Sequence, residues 1–307
     1  MARIAVTGAT GTIGIAVVDA LRARGDEVVA LSRDADRGRT VLADGVQVHG
    51  WSEPTRTPPP PVALAGADAV VHLLGEPVAQ RWTEDAKQAI RDSRELATRM
   101  LVAGLQALGD AERPGTLVSQ SATGFYGPRG EQPVDEQTHP GSDFLADVVV
   151  AWEREAQRAA PPMRVVLTRT GVVLSPSGGA LGKMLPFFRL GLGGPVAGGQ
   201  QYIPWVHLDD VVGALLFCVD NREANGPVNL TAPFLVTNAE LSHALGRALG
   251  RPAILPVPAL ALRLLYGEMS QMVTTGQRAV PKQLEELGYR FRYQNIDAAL
   301  ADVLGGA

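Results

Sequence analysis

Three glycines near the start of the chain carry the clearest chemistry. The run Val6-Thr7-Gly8-Ala9-Thr10-Gly11-Thr12-Ile13-Gly14 follows an apolar strand-like segment from Arg3. It leads into an amphipathic stretch, Ile13 to Arg24, which Gly25 stops. A glycine turn between strand and helix lets an anion come close to the backbone. Free N–H groups and the positive end of the helix dipole then hold it. A second apolar strand follows, so the glycines lie inside a βαβ unit. Gly8, Thr10, Gly11, Thr12, Ile13 and Gly14 are therefore the expected cradle for the pyrophosphate of a dinucleotide.

The end of the second strand decides which dinucleotide. An acidic residue there bonds a ribose 2′-hydroxyl, whereas an arginine suits a 2′-phosphate. This chain reads Ser32-Arg33, with Asp34 a place late. The reading favours NADP(H); a solvated loop charge is the alternative for Arg33. After the fourth strand, Leu74, Gly75 and Glu76 enter a loop on the ligand side, where Glu76 can reach a ribose hydroxyl. Arg81, in the same loop, can approach the phosphates, or it is a surface charge beside the helix-capping Thr83. His72, in mid-strand, reads as a satisfied core histidine.

These residues need a scaffold, and the rest of the chain supplies its pattern. Strands are expected at Arg3–Thr7, Glu27–Ser32, Val46–His49, Ala69–Leu74, Thr116–Ser119 and Arg164–Thr168. Helices are expected at Ile13–Arg24, Glu84–Leu108 and Phe144–Arg158. Alternating strands and helices predict an α/β fold, a Rossmann-like doubly wound parallel sheet; continuous apolar strands fit burial on both faces. The four prolines Pro58 to Pro61 make a stiff loop inside this core. Beyond Arg169 the rhythm changes, with a helix-like Leu181–Leu190, a helix at Leu208–Val219 and a strand at Val228–Leu230. The expected division is a core over 1–236, with a lid or substrate segment at about 175–205, and a mostly helical lobe over 237–307.

Bulk properties narrow the class. The chain has 307 residues, 46% hydrophobic, with a net charge of −4 and no long basic run. Nucleic acid and anionic membranes are unsuited partners for it. One cysteine, Cys218, excludes an intrachain disulfide framework and suits a reducing compartment. The expectation is a cytoplasmic protein, one copy or a homodimer, acting on an unidentified small molecule. No cluster has metal-ligand spacing. Gly178 to Lys183 lacks the first glycine and the final Ser/Thr of a P-loop.

With these segments placed, the chain resembles an atypical extended short-chain dehydrogenase/reductase of the YfcH-like epimerase family. The matching pieces are Gly8–Gly14, Leu73–Trp82, Ser119–Gly127, Asp143–Glu153, Arg169–Leu174, Trp205–Asp210, and the run from Gly267 to Tyr293. The resemblance implies a Rossmann core with NADP(H). In the wider superfamily a tyrosine, a lysine four places on and a serine carry the chemistry. Ser121 matches the serine by position; capping a turn is its other reading. No tyrosine here has a lysine four residues later, and apolar residues of Phe144–Val150 stand at the expected stations. Tyr126 is the nearest tyrosine and a candidate proton donor, though an unassisted phenol, with a pKa of about 10, is a poor base at neutral pH. His207 titrates in a useful range, but helix capping by Asp209 and Asp210 is the safer role there. Asp147 and Glu153 are six residues apart and share no helix face at a spacing of one or two turns. Two functions follow: an NADP(H)-dependent oxidoreductase or epimerase-like enzyme for a small carbonyl or hydroxyl compound, or a non-catalytic NADP(H)-binding sensor.

Overall fold

The computed structural model describes residues 1–176 and 178–305. Ser177, within the expected lid, and Gly306 and Ala307, at the end of the expected lobe, lie outside the described residues. Seven strands form one parallel sheet: β1 (Arg3–Thr7), β2 (Glu27–Ser32), β3 (Gln47–Gly50), β4 (Ala69–His72), β5 (Thr116–Ala122), β6 (Arg164–Thr170) and β7 (Gly226–Leu230). Their order is β3-β2-β1-β4-β5-β6-β7. The reversal of winding falls between β1 and β4, where such sheets open a crevice at their carboxyl ends.

Both faces of the sheet are buried, which explains why its strands read as unbroken apolar runs. Ile4 and Val6 of β1 belong to one core, together with α1 (Thr12–Ala23) and α6 (Leu208–Asp220). Ala5 belongs to the core on the other face, with α3 (Glu84–Gln106) and α4 (Phe144–Gln157). Val211, Ala214, Leu215 and Cys218 line one stripe of α6 at helical spacing. Cys218 is a buried packing residue whose thiol burial pushes up to about 12.

Capping sets the helix starts. Asp34 accepts from Arg37 N and starts α2 (Ala35–Val41), a short polar helix that periodicity does not reveal. Thr83 caps α3 and Asp143 caps α4. Gly25, at φ +85°, follows the last residues of α1, a backbone position that favours glycine.

A third core joins the two parts of the chain. It combines Leu174, Leu181, Leu185, Phe188 and Trp205 with Leu241, Leu245, Leu300 and Val303. These residues come from the short strands Val172–Leu174 and Trp205–His207, from α5 (Gly179–Arg189), and from α7 (Asn238–Leu249) and α11 (Ile296–Gly305). Helices α8 (Ala259–Tyr266), α9 (Gln271–Thr274) and α10 (Lys282–Glu286) complete the lobe. Its last part turns back onto the sheet: Leu284 and Phe291 pack in the α1–α6 core.

His72 sits inside this framework as a neutral ring. Its Nδ1 is 2.6 Å from Thr7 Oγ1 and its Nε2 is 2.9 Å from Thr98 Oγ1. Burial lowers its pKa from 6.5 to about 3. Below pH 6.5 the unfolded chain takes up a proton that the folded chain refuses until about pH 3. Stability is therefore full above that window and falls as acid is added through it. At pH 5 the loss is about 2 kcal/mol relative to neutral pH. Chemical denaturation at pH 7 and pH 5 should show this extra loss for the parent protein and not for His72→Gln.

Candidate functional site

The glycine turn opens onto a cleft of about 710 Å³ at the carboxyl ends of the strands. Gly8 has φ +65°, and a Cβ there would lie 2.7 Å from Leu73 O. A Cβ on Gly14 would lie 2.2 Å from Gly8 O. The turn thus packs backbone on backbone, which only glycine allows. Gly11 stands at the N-cap of α1, where no side chain caps the helix and no acid occupies the first turn. The leading N–H groups of α1 are left for an external acceptor. This arrangement fits a dinucleotide pyrophosphate on chemical grounds.

Gly8, Gly11, Thr12, Ile13 and Gly14 line the cleft, as do Leu74, Gly75 and Glu76. Thr10, Ser32, Arg33 and Arg81 lie outside that lining. In the β1–β2 register Thr7 stands beside Leu31, so Ser32 ends β2 and Arg33 leaves the sheet near Gly8. Arg33 is exposed there, while Ser32 is buried and its Oγ bonds Asp34 O at 2.8 Å. Arg81 is exposed as well. Its loop is held by other residues: Glu76 N donates to Ser93 Oγ at 2.9 Å, Trp82 Nε1 to Val78 O at 2.9 Å, and Lys183 Nζ to Ala79 O.

The stations of α4 at which the resemblance expects a tyrosine and a lysine are apolar. Phe144, Leu145, Val148, Val149 and Trp152 present one continuous stripe to the cleft. Trp152 is 3% exposed and packs as expected. Asp147 is exposed and Glu153 is buried, so the two are well separated in environment.

Ser121 lines the cleft, but its hydroxyl is already committed. Its Oγ donates to Glu153 Oε1 at 2.6 Å. Glu153 in turn receives Arg169 Nε at 2.8 Å and Nη2 at 2.9 Å. Arg169 Nη1 donates to Tyr126 Oη at 3.1 Å, and Tyr126 donates to Asn229 Oδ1 at 2.6 Å. The guanidinium lies 3.4 Å from the centre of the Phe125 ring. A serine has a single proton to give, so Ser121 faces the cleft as an acceptor while it holds Glu153.

Tyr126 does not fit the proton-donor role expected of it. It is 0% exposed, stands behind the cleft wall and is absent from the lining. Burial pushes its phenol up to about 12, against the lowering influence of Arg169 and Asn229. His207 is also away from the cleft. It caps α6 itself, its Nδ1 accepting from Asp209 N at 3.1 Å, and its ring stacks on Tyr293 at 3.8 Å. Asp209 and Asp210, expected as the caps, instead hold the lobe: Asp209 pairs with Arg292, and Asp210 accepts from Arg292 N and Tyr293 N. Of the expected lid, Ser175, Gly178 to Ala180 and Tyr202 to Pro204 line the cleft, while residues 191–201 do not.

Arg94 is the cleft residue that sequence reasoning passed over. It lies on α3, where arginines usually mark a solvated face. Here its guanidinium sits against Gly75, a Cβ on which would be 3.2 Å from Arg94 Cζ, and 5.2 Å from the centre of the Trp152 ring. Burial lowers its pKa to about 10, despite the opposing charge of Glu76.

The sequence profile of the NAD dependent epimerase/dehydratase family matches residues 4–231. The chain belongs to the NAD dependent epimerase/dehydratase family. A domain of unknown function, DUF1731, matches residues 257–303 of this family member. An epimerase family protein of Mycobacterium bovis is 42% identical over 302 residues, covering 97% of this chain and 96% of the relative. The human epimerase family protein SDR39U1 is 34% identical over 307 residues, covering 98% and 99%. A crystal structure of human SDR39U1 (isoform 2) with NADPH superposes with a TM-score of 0.89 at 32% identity, over 99% of this chain and 100% of that one. A nucleoside-diphosphate sugar epimerase from Corynebacterium glutamicum gives a TM-score of 0.77 at 32% identity, over 99% of this chain and 58% of that one. The Rossmann-like fold and the helical C-terminal region of this epimerase/dehydratase-family chain are those of its relatives. Among the described residues no helix is long and apolar enough to cross a membrane.

Proposed function

We propose that the protein binds NADP(H) in this cleft and exchanges a hydride with a small carbonyl or hydroxyl compound. The observation that carries the reading is the uncapped N-terminus of α1, opening at a glycine turn onto a cleft that continues past Ser121. The likeness to a human structure holding NADPH supports the cofactor. When bound, the nicotinamide supplies or accepts the hydride.

The chain's own residues do the rest. The N–H groups of Thr12 and Ile13 hold the pyrophosphate, and Arg33 holds a 2′-phosphate at the end of β2. Arg33→Ala is expected to weaken NADPH at least tenfold while changing NADH less than twofold; equal losses in paired titrations would remove that assignment. The apolar stripe of α4 excludes water from one wall. Ser121, with its proton on Glu153, accepts from an alcohol O–H; donation to a carbonyl requires first letting go of Glu153. The displaced Tyr126 and His207 leave proton exchange with the substrate oxygen to water.

The committed Ser121 also favours a second reading, a non-catalytic NADP(H) sensor. Incubating the protein with NADPH and a panel of carbonyl compounds, and following nicotinamide absorbance, separates the two. Turnover that Ser121→Ala lowers by about tenfold, through loss of the hydrogen bond to the substrate oxygen, supports the enzyme. Tight NADPH binding without oxidation of any panel member supports the sensor. No affinity for NADPH sinks both.

A further inference from the structure

Arg94 is a largely buried cation on the cleft lining, where the opposing charge of Glu76 acts on it without forming an ion pair. Among the described residues no carboxylate lies within ion-pair distance of its guanidinium. Its Nη1 donates to Ile90 O at 3.1 Å and lies 3.4 Å from Ser93 Oγ. Among the described residues its Nε and Nη2 make no hydrogen bond. The contrast with Arg169 is direct, since that buried guanidinium has a bidentate carboxylate. A partly buried charge without a counterion is costly and calls for a ligand.

The unused atoms define the ligand. Nε and Nη2 form one edge of the guanidinium, with two parallel N–H donors. Nη1 is anchored on the carbonyl of its own helix, which leaves this edge for a ligand. Gly75 on one side and the Trp152 ring on the other hold the group in place before anything binds. Two parallel donors match the two oxygens of a carboxylate. A phosphate dianion ordinarily collects more cations or a helix N-terminus, whereas the paired edge of one guanidinium balances the single charge of a carboxylate.

We propose that the second ligand of this cleft, the substrate, carries a carboxylate that docks on the Nε–Nη2 edge of Arg94. The inference rests on the dinucleotide reading above and makes the substrate class a carboxylated carbonyl or hydroxyl compound. Arg94 positions it by charge and takes no part in proton transfer.

The test uses the full-length chain saturated with NADPH, titrated calorimetrically with oxamate, lactate and inorganic phosphate in turn. At least one of the two carboxylates is expected to bind. Arg94→Gln should weaken it at least tenfold, with NADPH affinity kept within twofold, which also reports an intact fold. Arg94→Lys keeps a charge but loses the paired edge, and should recover only part of the loss. Failure of both carboxylates to bind the loaded protein overturns the proposal. So does carboxylate binding that is indifferent to Arg94, or an NADPH affinity that falls tenfold in the variants and so assigns Arg94 to the dinucleotide. Phosphate binding more tightly than either carboxylate, with the same dependence on Arg94, replaces the carboxylate by a phosphate. In each of these cases NADPH titration of the parent chain shows separately whether the dinucleotide reading stands.

Discussion

Gly11→Asp is expected to reduce NADPH affinity by 100-fold or more, about 2.7 kcal/mol, while leaving the fold at least as stable. Gly11 stands at the N-cap of α1 with φ −82° and ψ 169°, a conformation that aspartate adopts at helix starts. A Cβ there meets only Gly8 O, at 3.4 Å, so the new side chain fits. Its carboxylate would take the leading N–H groups of α1 and place a negative charge where the pyrophosphate must come. Thermal melting and NADPH titration on the same sample check both halves. A variant that melts normally and still binds NADPH with parent affinity shows that the phosphates lie elsewhere. Gly8 and Gly14 are poorer test positions, since their substitution forces backbone apart and confuses binding with folding.

Glu153→Ala is expected to cost about 3–5 kcal/mol, with Tm falling by roughly 5–8 °C. The side chains of Glu153 and Arg169 are 7% and 5% exposed, so removing the carboxylate strands a buried cation. What remains around Arg169 is a phenol and the carbonyl of Glu136, neither of them charged. Glu153→Gln should lose less, because it keeps the shape and one acceptor. The network also links function to stability, since it takes the proton of Ser121. A melt of Glu153→Ala within 2 °C of the parent would falsify the view that this pair is a structural anchor.

The frame of the molecule was open to reading because its signals are local. Gly25, Thr83 and Asp143 mark helix ends within a few residues, and the unbroken burial of Ile4, Ala5 and Val6 follows from a strand covered on both sides. The ends of β5 and β6 were harder. Both run past Ser119 and Thr168, where the sequence turns polar, because Ser121 pairs in register with Arg169 and Ala122 with Thr170. The site was less legible, since its key contacts join distant residues. Glu153 and Arg169 lie 16 residues apart on different elements, and Tyr126 reaches Asn229 across 103 residues. One signal was available: Glu153 and Arg169 are charges set in apolar runs, Val148 to Trp152 and Val165 to Leu174, and such charges ordinarily find each other. Arg94 had no such marker, because α3 carries arginines at 91, 94 and 99 and only packing against Gly75 and Trp152 distinguishes one of them.

The third core has a consequence for anyone dissecting the chain. Leu181, Leu185 and Trp205 find their apolar neighbours in Leu241, Leu245 and Leu300, while Gly276 presses so close to Tyr202 that a Cβ would lie 2.2 Å from its carbonyl oxygen. Cutting after residue 236 therefore does not release a smaller working unit. It strips the cover from α5, removes the far wall of the cavity and leaves a sticky surface in its place. Any motion that admits and releases a bound molecule has to work against this shared apolar contact.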